Sequence, residues 1–153
     1  MAIAILLHTL AAVVWVGGMF LAYVVLRPVA ATQLEPPARL ALWRGVFGRF
    51  FPWVFVSIAV LLATGLWMVF SVFGGFGNAG LHIHLMLWAG LVMMLIFRHV
   101  FFAPFRQLKK AVAAGDWQGG GRQLSRIRVL VGINLAIGLL VVAIASGGRY
   151  LAL

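Results

Sequence analysis

The chain has 153 residues, 65% of them hydrophobic and 9% charged, with a mean hydropathy of +1.13. Water-soluble domains carry roughly a quarter of their residues charged, so this chain cannot cover itself with polar surface. The composition defines an integral membrane protein. Twelve Lys and Arg face two acids, for a net charge of +10. Cysteine is absent, which removes disulfides, thiolate metal sites and cysteine nucleophiles together.

In chain order, residues 3–26 form a charge-free apolar run, 50–97 a second and longer one, and 129–148 a third. About 20 apolar residues cross a bilayer core of roughly 30 Å. As one helix the middle run would measure about 72 Å, so it must fold back. The break falls at Gly74-Gly75-Phe76-Gly77-Asn78-Ala79-Gly80, a glycine cluster that interrupts helices. The prediction is an all-α integral membrane protein: a four-helix transmembrane bundle, up-down-up-down, forming a single domain over 1–153. Its spans run about 3–26, 50–73, 81–104 and 129–148. The first span has no basic leader region, and is read as a retained helix.

The loops carry the charge. Arg27, Arg39, Arg44 and Arg49 lie between spans one and two. Arg98, Arg106, Lys109, Lys110, Arg122, Arg126 and Arg128 lie from the end of span three to the start of span four. Only Arg149 falls on the other side. The positive-inside rule then places both long loops in the cytoplasm and both termini on the extracytoplasmic side. This asymmetry accounts for the basic charge without a nucleic-acid partner. Within the loops, Pro36-Pro37 begins a short helical stretch at Ala38–Gly48, and Phe105–Ala114 extends span three along the headgroups. Gly115-Asp116 and Gly119-Gly120-Gly121 are read as turns before span four.

The spans hold no carboxylate and no lysine. That excludes paired-carboxylate hydrolysis, carboxylate proton relays and a Schiff-base lysine inside the bundle. What remains is histidine, methionine, tryptophan and a few small polar groups. His8, His82 and His84 gather at the extracytoplasmic end, while His99 sits with Arg98 at the other end as an interfacial residue. At 100° per residue, Trp15 and Met19 fall within about 20° of the His8 face, beside Ala12. Met86 and Met93 fall within about 40° of His82, beside Ala89 and Gly90. Thr64, Met68 and Ser71 share a stripe on span two. A histidine and methionine lining suits a soft ion such as Cu(I). It equally suits haem b, with histidines from facing helices as axial ligands.

His82 and His84 point about 200° apart on a regular helix. The small residues Ala89 and Gly90 favour His82 as the inward one. Each candidate also has a plainer role: the methionines as packing and the outer histidines as headgroup contacts. Arg149 either snorkels or pairs with an anionic group such as a haem propionate. Asn134 and Gly138 are expected to form a close helix contact with an interhelical hydrogen bond.

The segment His8-Thr-Leu-Ala-Ala-Val-Val-Trp15-Val-Gly17-Gly18-Met19-Phe20 resembles the opening helix of CopD-type (copper resistance protein D) membrane proteins. Arg49-Phe-Phe-Pro52-Trp53, His84-Leu-Met86 leading to Phe101-Phe102-Ala103-Pro104, and Gly132-Ile-Asn134 with Gly138 continue the likeness. The resemblance implies copper uptake or tolerance at the bacterial inner membrane. It implies metal handling by His8 and His84, which favours His84 over His82, with Met19 and Met86 assisting. The first helix is also similar to that of HemJ-type protoporphyrinogen oxidases, which implies haem b on His8. Spans two to four lack the lysine of those enzymes, so haem carries over better than oxidase activity. Three readings follow. One is a copper-binding or copper-moving protein. The second is a haem b redox protein working with quinone or a periplasmic electron-transfer partner. The third is a ligand-free subunit of a homodimer or larger complex, docked through its lipid-facing surface.

Overall fold

The computed structural model describes residues 1–147; Arg149 lies outside the described residues. Among those residues the chain is helical throughout. Helix α1 covers Ala2–Phe20 and passes through a π-helical turn, Leu21–Leu26, into α2, Arg27–Gln33. Helix α3 covers Pro36–Ser71, α4 Leu81–Phe102, α5 Pro104–Ala113 and α6 Trp117–Gly147. Four of the resulting rods are long and apolar enough to cross a membrane: Ala2–Gln33, Pro36–Ser71, Leu81–Ala114 and Trp117–Gly147.

Three features of the loops differ from the sequence expectation. The stretch Ala38–Gly48 is not a separate helix; it is the first part of α3 and runs without interruption into the span, through Pro52. Its Leu40, Trp43 and Phe47 are buried by the same face that buries Phe51 and Val54, so one continuous packing stripe keeps the helix whole. Second, the extension of span three is set off by a break at Ala103 (φ −108°, ψ −86°). Pro104 causes it, because proline disfavours the helical conformation of the residue before it. The break lets α5 turn Phe105 and Leu108 into the core. Lys109 stays at its edge, with its ammonium 4.9 Å from the Phe105 ring. Third, Gly119, Gly120 and Gly121 are helical rather than turns. Asp116 caps this end, its Oδ1 accepting from the Gly119 N–H at 2.8 Å. A Cβ on Gly120 would stand 2.9 Å from Leu40 Cδ1, so Gly120 serves close packing of α6 on α3.

The turn between α3 and α4 does use glycine as predicted. Gly74 and Gly75 adopt φ of 69° and 117°, values that side chains other than glycine rarely tolerate. A short 3-10 turn at Phe76–Asn78 follows before α4 begins.

Helix pairing is read from specific contacts. His8 meets Thr64 and Gly18 meets Phe50, so α1 runs antiparallel to α3. Gly138 faces Met93, so α4 packs on α6. The core is densest in the arginine-rich half. There Phe47 stacks on Phe51 at 5.2 Å, and Phe51 meets Phe97 and Phe105 edge-on at 5.3 and 4.8 Å. Such pairs add about 0.5–1.5 kcal/mol beyond simple burial. Leucines, valines and isoleucines elsewhere on the rods face outward, as a lipid solvent allows.

Adjacent glycines in α1 provide a test of this packing. A Cβ on Gly18 would overlap the Phe50 ring, whereas nothing lies within 4 Å of one on Gly17. Gly18→Ala should therefore lower stability by about 1–3 kcal/mol through overpacking. Gly17→Ala should be neutral or slightly stabilising. Thermal melts of the two detergent-solubilised variants against the parent check the contrast.

Candidate functional site

The polar groups of the spans are few, and most of the candidates are held by a specific neighbour. His8, half-buried on α1, has its Nδ1 2.8 Å from Thr64 Oγ1 on α3. The Thr64 hydroxyl has one proton, which it donates to the Val60 carbonyl at 2.6 Å. Its oxygen is then an acceptor towards His8, so the imidazole proton sits on Nδ1. The Nε2 of the neutral ring is left with its lone pair. A side-chain partner that fixes the tautomer and orientation of an imidazole is a regular companion of metal-ligating histidine. Gly65 flanks this contact, and a Cβ there would lie 3.4 Å from His8 Cε1.

His84 lies in the first turn of α4. Its Nε2 donates to the Phe76 carbonyl at 3.1 Å, and its ring centroid is 6.3 Å from that of Phe76. The glycine turn thus orients His84, with the lone pair of the neutral ring on Nδ1. His82, two residues earlier in the same first turn, is half-buried. The two anchored histidines belong to the same end of the bundle, each tied to its own neighbour: His8 to α3, His84 to the turn. Among the described residues no group of three or more His, Cys, Asp or Glu could hold a metal ion.

Further along α1 the predicted stripe turns inward. Trp15 is 2% exposed and meets Phe97 of α4 edge-on at 6.3 Å. Met19 is 3% exposed, and its sulfur accepts a hydrogen bond from Asn134 Nδ2 at 3.7 Å. This is the interhelical bond expected of Asn134. The other amide atom, Asn134 Oδ1, is buried with no hydrogen-bond partner, and Asn134 is among the residues lining a void of about 20 Å3. A void of that size holds about one water. Met93 is buried on α4, its methyl 3.1 Å from where a Gly138 Cβ would stand. Met86 and Met68 are half-buried, Ser71 is exposed, and His99 is exposed at the arginine-rich end.

Chemically, the arrangement offers one neutral imidazole with a fixed tautomer, a second oriented by a backbone carbonyl, and buried thioethers further along. It contains no acid and no amine base. Two partners were not legible as such in the sequence. Thr64 is visible on its own helix stripe, but its register against His8 is set only by the packing of α1 on α3. The Phe76 carbonyl is a backbone acceptor, which no side-chain pattern marks.

The fold defines a multi-pass helical membrane protein. Residues 44–147 match the family model for CopD, Copper resistance protein D. The match covers more than half of the chain, and the chain belongs to the CopD family, a copper-resistance-related group of membrane proteins. The matched stretch includes His84, Met86, Met93 and Asn134; α1, with His8, Trp15 and Met19, precedes it. Comparison with curated proteins and with solved structures gives no match.

The His8–Thr64 contact is measurable. In a double-mutant cycle of His8→Phe and Thr64→Val, the coupling should be about 0.6 kcal/mol and no more than about 1.7 kcal/mol, the range of interhelical hydrogen bonds in membranes. Unfolding free energies of the four proteins in micelles give the value directly.

Proposed function

We propose that this CopD protein binds Cu(I) as cargo at the glycine-turn end of the bundle and hands it towards the buried methionines. The observation that carries the reading is the His8–Thr64 pair. A half-buried imidazole with its Nδ1 proton committed to Thr64 presents Nε2 as a neutral nitrogen donor. Imidazole from His8 and His84, together with thioether from Met86, is a donor set suited to a soft monovalent ion. The plain absence of acids in the spans disfavours hard divalent cations such as Mg2+ or Ca2+, which need oxygen ligands.

Few donors also fit a cargo that must leave again. The buried sulfur of Met19, with Asn134 beside it, stands on the same stripe as His8 and offers a next station. Eleven of the twelve basic residues lie at the opposite end of the rods, which supports a bacterial inner-membrane placement with both termini in the periplasm. Copper would then be met on the periplasmic face, from a periplasmic copper partner.

The test is copper content and copper tolerance. Purified under reducing conditions, the parent should retain copper, and His8→Ala should lose it. Thr64→Val, which removes only the orienting partner, should weaken copper binding about 10- to 100-fold while leaving the helical content unchanged. A Soret band that shifts on dithionite reduction would instead assign the imidazoles to haem b. Unaltered copper content and tolerance in His8→Ala would leave only a subunit role.

The cysteine-free chain also makes the orientation accessible. A single cysteine at Ser146 should react with a membrane-impermeant maleimide added outside spheroplasts, and one at Ser125 should react only after lysis.

A further inference from the structure

At the arginine-rich end, the π-helical turn, the start of α3 and the start of α6 enclose a cavity of about 360 Å3, within the size range of small-molecule sites. Three arginines line it, Arg27, Arg39 and Arg128. Its wall includes the aromatic rings of Tyr23, Trp43 and Phe47. Neither acid of the chain is among its lining residues. Gln118 and Ser125 add polar atoms at the edge.

The cationic groups are held in place. The Arg27 guanidinium lies 4.4 Å over the Tyr23 ring, an arrangement that fixes the charge without neutralising it. Tyr23 in turn packs on Gly132 of α6, where a Cβ would stand 2.9–3.0 Å from its ring and hydroxyl. Arg39 Nη1 donates to the Ala31 carbonyl at 3.4 Å. The backbone is adapted here as well. The Arg27 N–H bonds to the Ala22 carbonyl five residues back, and π-turns of this kind recur at functional sites.

Position narrows the ligand. Arg27 ends the charge-free run 3–26, and Arg128 immediately precedes the run 129–148. Both guanidiniums therefore stand at the plane where the hydrocarbon core gives way to headgroups, the level of lipid phosphates. The aromatic wall continues from that plane as an apolar surface. We propose that this cavity is a binding site for an anionic phospholipid, with the phosphate between Arg27, Arg39 and Arg128 and the glycerol and upper acyl carbons against Tyr23, Trp43 and Phe47. Basic pockets between membrane helices on this side favour such headgroups. The lipid partner is independent of copper and sits at the other end of the rods from His8.

Native mass spectrometry of the full chain in micelles, with phosphatidylglycerol and phosphatidylcholine added in equal amounts, tests the site. The first lipid bound should be phosphatidylglycerol by at least about tenfold. Arg27→Gln with Arg128→Gln should bring the ratio to within about threefold, and Arg39→Gln alone should reduce it partially. Arg27→Lys with Arg128→Lys should keep most of the preference and reports on folding. Arg106→Gln with Lys109→Gln removes the same charge outside the cavity and should change nothing. Excess inorganic phosphate should leave the lipid bound. No preference in the parent would overturn the proposal. So would an equal loss in the Arg106/Lys109 control, which would indicate diffuse attraction. Displacement by inorganic phosphate would make this a free-anion site and overturn the lipid assignment.

Discussion

Lipid offers no hydrogen bonds, and this constraint organises the molecule. Every polar group within the spans must find a protein partner or remain costly. Thr64 returns its proton to the Val60 carbonyl and receives that of His8. Asn134 gives its amide to the sulfur of Met19. His84 reaches the carbonyl of Phe76. The bonds of His8, Asn134 and His84 each satisfy a polar group and also tie two segments together, so these few side chains serve as connectors within the bundle. Among the described residues, the Oδ1 of Asn134 and the Oε1 of Gln123 are buried without a hydrogen-bond partner.

The two ends are built differently for that reason. At the arginine-rich end the helices extend beyond the hydrocarbon, and aromatic contacts through Phe47, Phe51 and Phe105 bind α3 to α5. At the other end the helices meet through a glycine turn and a small number of directional contacts. Local opening is easiest where buried apolar contacts are fewest.

Family membership and site geometry address different parts of the chain. The CopD match begins at Arg44 and takes in the later helices. The best-oriented imidazole lies before it, on α1, and its role rests on the Thr64 contact alone. The two lines converge because α1 is packed on α3, which bridges the unmatched and matched parts.

Much of the architecture was legible without coordinates. Charge-free runs of membrane-crossing length, the glycine cluster at 74–80 and the one-sided arginines are local or one-dimensional signals, and lipid enforces them strictly. The inward stripe of Trp15 and Met19 followed from helical periodicity, and so did the Asn134–Gly138 contact. The continuity of α3 through Ala38–Gly48, the helical Gly119–Gly121 and the break at Ala103 did not follow. Glycine and proline mark both turns and close contacts, and only a neighbour such as Leu40 against Gly120 decides between them. Likewise, one helix's periodicity says which residues share a face but not which residue of another helix stands opposite. The amino-acid order alone determined that the chain has four membrane-crossing helices and that His8, His82 and His84 fall towards one end. Tertiary packing alone decided that Thr64 would set the tautomer of His8, and that three arginines far apart in the chain would line one cavity, because interhelical register depends on how whole side-chain surfaces fit together.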